Sequence, residues 1–286
     1  MSDKTAKGLR GGMSMLCILI LACGDGETPS APTTQQLQAS RSVASIAGLA
    51  GRIVYTNKGL RVYNLATSAD VSLGTSGVNP EFSPDGTLIT YQNNGIKVMN
   101  SDGTNVRVLS ASGGSPSFDP TGTMIAFKNN GIWKINVDGT GLTQLMADDA
   151  HSPAWSPDGT QIAYGSIVGS LVQLFIMNAD GTNRQQVLTS GSVIDVTWKP
   201  SSKLLFGVLS GNYELHSFDP VNPSSLTRLT TSKASDFEPS WSPDGTQISW
   251  VAGTSGPTSG IWMMNTDGSG KLGPVIPKGR QGSWGR

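Results

Sequence analysis

The chain has 286 residues, 20 basic and 20 acidic side chains, 36 glycines and two cysteines, and only 14% of its residues are charged. A balance this even gives no basic face for nucleic acid, and the length suits one large domain. Both cysteines fall in the first 23 residues, so the rest of the chain has no thiol for a disulfide, a nucleophile or a metal site.

In chain order, Lys4, Lys7 and Arg10 precede an apolar run from Met13 to Ala22. That is the composition of a secretory signal, and the run is too short for a permanent membrane span. Ile20-Leu21-Ala22-Cys23 resembles the lipobox of bacterial lipoproteins, although Leu21 stands where a small residue is more usual. The resemblance implies cleavage after residue 22 and lipidation of Cys23. Gly24, in place of Asp, resembles the pattern of lipoproteins sent to the periplasmic side of an outer membrane. An ordinary signal with an incidental cysteine is the alternative. Without residues 1–22 the chain keeps 17 basic and 19 acidic residues. Residues 23–45, rich in Thr, Ser, Gln, Pro and Ala, read as a flexible tether with a typical span of roughly 25 Å.

From residue 46 to 286 the sequence repeats. Phe82-Ser83-Pro84-Asp85-Gly86 returns as Trp155-Ser156-Pro157-Asp158-Gly159 and Trp241-Ser242-Pro243-Asp244-Gly245. Degraded copies stand between them at Phe118-Asp119-Pro120-Thr121-Gly122 and Trp198-Lys199-Pro200-Ser201-Ser202. Each copy predicts a tight turn after a first strand, because Pro presets φ and Gly leaves the turn at positive φ. An alternating second strand follows, such as Gln161-Ile162-Ala163-Tyr164, and then a third such as Ile96-Lys97-Val98-Met99. A second turn comes next, as in Asn100-Ser101-Asp102-Gly103, before a short fourth strand. Four antiparallel strands per unit of about 40 residues predict an all-β propeller blade. Gly51-Arg52-Ile53-Val54-Tyr55 aligns with a second strand and Gly282-Ser283-Trp284 with a first. The C-terminus is therefore expected to complete the first blade and close a six-bladed ring without a free sheet edge.

These repeats resemble those of the TolB-type six-bladed propeller family, over residues 47–286. The resemblance implies the fold; the shared residues are turn and packing residues, and the family holds envelope protein-binding components, peptidase propellers and a few enzymes.

Enzyme motifs are sparse. There is no Gly-x-Ser-x-Gly elbow. His151, expected on an interblade loop, and His216, in a third strand, have different offsets in their repeats and are expected to lie apart. Trp155, Trp198, Trp241 and Trp284 share one repeat position with Phe82 and Phe118, which predicts packing between blades. Trp133 and Trp262 share another, while Trp250 has no clear place.

Three residues before each of these aromatics stand Asn79, Ser115, Ser152, Asp195, Glu238 and Gln281, all polar. First strands surround a propeller's channel, so these six are expected to ring one mouth, with Asp195, Glu238, Gln281 and Asn79 forming one acidic, amide-rich arc. Such an arc suits a cationic peptide segment, a free amine or a hydrated cation. The plain alternative is that any water-filled mouth is polar. Second-to-third-strand loops on that face vary, and those at residues 165–171, 209–212 and 252–260 are expected to be long. Interblade loops there carry Asp149, His151, Asp236 and Phe237, and Tyr213 stands nearby. The leading expectation is a monomeric, lipid-anchored, non-catalytic binder of an envelope protein or peptide, with no cofactor, metal or nucleic acid. A carbohydrate or small-ligand binder and a lyase or hydrolase are the alternatives.

Overall fold

A computed structural model describes residues 50–286 except 189, 190 and 254. The expected signal peptide, Cys23 and the tether lie outside the described residues. The first blade holds β1 (Arg52–Thr56), β2 (Leu60–Asn64) and β3 (Asp70–Ser72). The second is β4 (Val78–Phe82), β5 (Leu88–Gln92), β6 (Ile96–Asn100) and β7 (Arg107–Ser110). The third is β8 (Gly114–Phe118), β9 (Met124–Lys128), β10 (Ile132–Asn136) and β11 (Thr143–Met146). The fourth is β12 (Ala150–Trp155), β13 (Gln161–Val168), β14 (Leu171–Asn178) and β15 (Gln185–Leu188). The fifth is β16 (Ser192–Trp198), β17 (Leu204–Ser210), β18 (Asn212–Asp219) and β19 (Asn222–Arg228). The sixth is β20 (Asp236–Trp241), β21 (Gln247–Ala252), β22 (Gly260–Asn265) and β23 (Leu272–Pro277). The last strand, β24 (Arg280–Gly285), pairs with β1, so the C-terminus completes the first blade as the repeat alignment requires.

Turn chemistry explains the repeat. In Ser83-Pro84-Asp85-Gly86 the Ser83 hydroxyl accepts the Leu88 N–H at 2.9 Å and donates to Asp85 at 2.6 Å, and Ser156 and Ser242 repeat both contacts. The third-blade copy is relocated, not degraded. Asp119 takes the serine position and its carboxylate itself accepts the Thr123 and Met124 N–H groups at 2.8 and 2.7 Å. In the fifth blade Ser202 takes the glycine position at φ 67°, and its N–H closes the turn on the Lys199 carbonyl.

The core is six clusters, one between each pair of neighbouring blades. The aromatics before the turns are all buried, Trp155, Trp198, Trp241 and Trp284 at 6 to 8% exposure. A second aromatic ring runs through the second strands as Tyr55, Tyr91, Phe127, Tyr164, Phe206 and Trp250, each no more than 3% exposed. Trp250 thus has its place: it is the sixth blade's member of this ring. Inner strands carry Pro80, Pro116, Pro153 and Pro239, tolerated because one edge of each faces the channel and pairs with no strand.

Candidate channel-mouth site

The inner strands β4, β8, β12, β16, β20 and β24 enclose a channel cavity of about 400 Å³. Near the start of each, the pairing register slips by a bulge. The bulged residue is in every case one of the six ring residues, and all six line the cavity. Their φ values are 50° at Asn79, 48° at Ser115 and Ser152, 52° at Asp195 and Glu238, and 51° at Gln281. Left-handed backbone costs a non-glycine residue about 1 kcal/mol or more. No glycine takes this position in any blade, so a side chain is kept there against the backbone's preference.

The arc is wired blade to blade. Asp195 accepts the Glu238 N–H at 3.0 Å, and Glu238 accepts the Gln281 N–H at 2.7 Å. Gln281 donates through Nε2 to Asn79 Oδ1 at 2.8 Å, and Asn79 reaches Ser115 at 3.5 Å. Burial, with the Asp195 charge adding to it, pushes the Glu238 carboxyl up to about 7. Burial likewise raises Asp195, against the hydrogen bond from the Glu238 backbone.

Two residues beyond the ring position the channel wall carries Ser117, Ala154, Thr197, Ser240 and Ser283, but in the second blade Glu81. Ser240 accepts the Trp284 N–H at 3.0 Å, and Glu81 plays the same part for Phe118, with Ser117 as a second donor. Only part of Glu81 is exposed, and desolvation holds its carboxyl up to about 8. Aligning the repeats isolates Glu81 as the one acid at this position; the ring-position count passed over it.

The other face-side residues depart from expectation. His151 lies inside β12, and Asp236 and Phe237 open β20, so none of these three sits on a loop. The bulge lets pairing resume upstream of the ring residue, which lengthens each inner strand toward its interblade connection. Asp236 is 1% exposed, its carboxylate accepting Trp250 Nε1–H and the Ser232 hydroxyl, both at 3.0 Å, so it is core and not a loop-face contact. Phe237 and Tyr213 are half-buried, Tyr213 within β18. Asp149 is exposed, 3.6 Å from Lys128 and 3.8 Å from His151. Lys128 Nζ also lies 2.6 Å from His151 Nδ1; burial first, and the lysine charge second, lower the imidazole's pKa. His216 is placed in a third strand as expected, against the Glu214 carbonyl.

Two of the three expected long loops are extended hairpins. β13 and β14 pair out to Val168↔Leu171, and β17 and β18 out to Ser210↔Asn212. Residues that read as loop continue the strands, helped in the first hairpin by Ile167 and Val168, which favour extended backbone. Their tips hold Ile167, Val168, Leu171 and Leu209 at 41 to 49% exposure. Antiparallel order puts these tips on the ring residues' end of the channel. The third, between β21 and β22, is a true loop.

A family model described as TolB beta propeller domain matches residues 134–280. A TolB homolog of Chlorobium chlorochromatii is 36% identical over 104 residues, covering 36% of this chain and 23% of that one. A TolB homolog of Chlorobium luteolum is 31% identical over 102 residues, covering 35% and 23%. The matched stretch is thus under a quarter of these relatives' length. TolB from Acinetobacter baumannii superposes with a TM-score of 0.71 at 20% identity, covering 89% of this chain and 74% of that one, which shows the shared fold.

Proposed function

The chain belongs to the TolB β-propeller family, and on that premise we propose that it is an exported, lipid-anchored scaffold that binds an envelope protein or peptide segment at the channel mouth without catalysis. The observation that carries this reading is the ring of six polar, left-handed residues held at equivalent positions around one mouth. Strain kept at the same place in every blade supports a site there. Beside it, the exposed apolar tips of the fourth- and fifth-blade hairpins give a partner contact surface next to the acidic arc. The signal-like residues 4–22 and Cys23 support anchoring on the periplasmic side of the outer membrane.

The chemistry favours a cationic segment. A lysine ammonium or a free amino terminus at Asp195 and Glu238 would draw the proton from Glu238, so binding strengthens as pH rises from 6 to 8. The test is capture from envelope extract on the purified protein, with Asp195→Asn/Glu238→Gln as control. Both amides still accept the interblade N–H groups, so the variant folds, with a melting temperature close to wild type at pH 5 and no lower at pH 8. A protein retained by wild type and lost by the variant supports the reading. Equal retention by both, or no retained protein, overturns it.

A further inference from the structure

A second cavity, of about 490 Å³, lies away from the channel and shares no lining residue with it. It sits between the connection from β19 to β20 and the face of the sixth blade. Trp250 and Trp262 form one wall as a cross-strand pair, ring centroids 6.1 Å apart and planes tilted by 40°. Trp262 is half-buried, one side packed on the Gly273 backbone and its Nε1–H spent on the Thr258 carbonyl at 2.9 Å. The indole therefore offers the cavity carbon surface and no free donor. Ala234, Ala252 and Gly253 keep the space open by being small.

Charge at this cavity is one-sided. Asp236 stands at its base, but its two oxygens are taken by Trp250 and Ser232. The neighbouring acid Glu214 is fully buried and engaged by Arg228, Thr230 and Asn212. Lys233 and Lys271, both exposed, line the cavity, and among the described residues neither pairs with a carboxylate. Two ammonium groups lining the same cavity as an apolar indole wall select a ligand with a flat or ring-shaped apolar body and an acidic group. The volume admits one or two six-membered rings, within the ordinary range of small-molecule pockets.

We propose that this cavity is a binding site for a small organic anion of that kind, its ring on Trp262 and its carboxylate or sulfonate between Lys233 and Lys271. An aromatic acid and an acidic sugar share this chemistry.

The probe is anilinonaphthalenesulfonate, titrated into the purified protein and read by its own emission and by quenching of tryptophan. The expected result is saturable binding that weakens on the order of tenfold in Lys233→Gln/Lys271→Gln. Both lysines are exposed, so that variant folds, and uncharged phenylnaphthylamine binds it as it binds wild type. Displacement of the probe by naphthoate assigns an aromatic acid, and displacement by glucuronate an acidic sugar. Unchanged probe affinity in the lysine variant, or displacement by neither compound, overturns the proposal. Results with Asp195 and Glu238 variants bear on the channel alone.

Discussion

At Glu81 the hydrogen bonds from Phe118 and Ser117 act against the cost of burying a carboxylate, and desolvation wins, since the folded carboxyl rises from 4.5 to about 8. Below pH 4.5 the folded and unfolded chains both hold this proton. Above it the unfolded chain releases the proton first, so stability falls until the folded carboxyl also ionises near 8. Glu238 adds the same slope up to about 7. The turn aspartates act in the opposite sense. Asp85, Asp158 and Asp244 are lowered below 3.8 chiefly by the serine hydroxyls two residues before them, so their contribution is present above that value and lost as pH falls through it. Stability is therefore expected to peak between about pH 4 and 5 and decline toward 8. Glu81→Gln, which keeps an acceptor for Phe118, removes the larger part of the alkaline slope, at most about 1.4 kcal/mol per pH unit for one proton. Melting temperatures at pH 5 and 8 check it: the variant gains at pH 8 and not at pH 5.

Among the elements, the extended hairpins of the fourth and fifth blades separate folding from function. Val168 and Leu171 pair across the tip of one, at 47 and 42% exposure, and bury little in the native state. Replacing Ile167, Val168 and Leu171 by Thr keeps strand propensity and removes apolar surface. The expected change in stability is within about 0.5 kcal/mol per site by urea unfolding, while partner retention by the purified protein drops. The strand pattern could be read from alternation, but the bulge at the ring position could not. It needs φ near +50° at Ser, Asp, Glu and Gln, which intrinsic preference argues against. For the same reason His151, Asp236 and Phe237 read as loop although they are strand.

Across the whole molecule, ring closure rests on a single seam. β24 brings Trp284 into the cluster between the sixth and first blades, with Nε1 donating to the Ala50 carbonyl at 3.2 Å. Arg52 clasps the joint from the other side, donating to the Arg286 and Gly86 carbonyls at 2.8 and 2.7 Å with its guanidinium over Phe82. Gly285 lies so close to the Phe82 ring that a Cβ there would collide with it. Trp284→Ala is expected to cost about 3–5 kcal/mol in thermal unfolding and to favour association through the freed edge of β1. The sequence by itself determined the blade, the blade count and the ring closure, because turn residues and apolar alternation are local properties that six repeats reinforce. It also isolated the six mouth residues, since equivalent positions are a matter of counting. Only the tertiary structure decided that those residues are strained and that five of them are wired blade to blade, that burial between blades raises the Glu81 carboxyl, and that Trp250 and Trp262 wall a second cavity with Lys233 and Lys271. Each of these depends on what a neighbouring blade or strand places beside the residue, and contact across blades leaves no periodic trace along the chain.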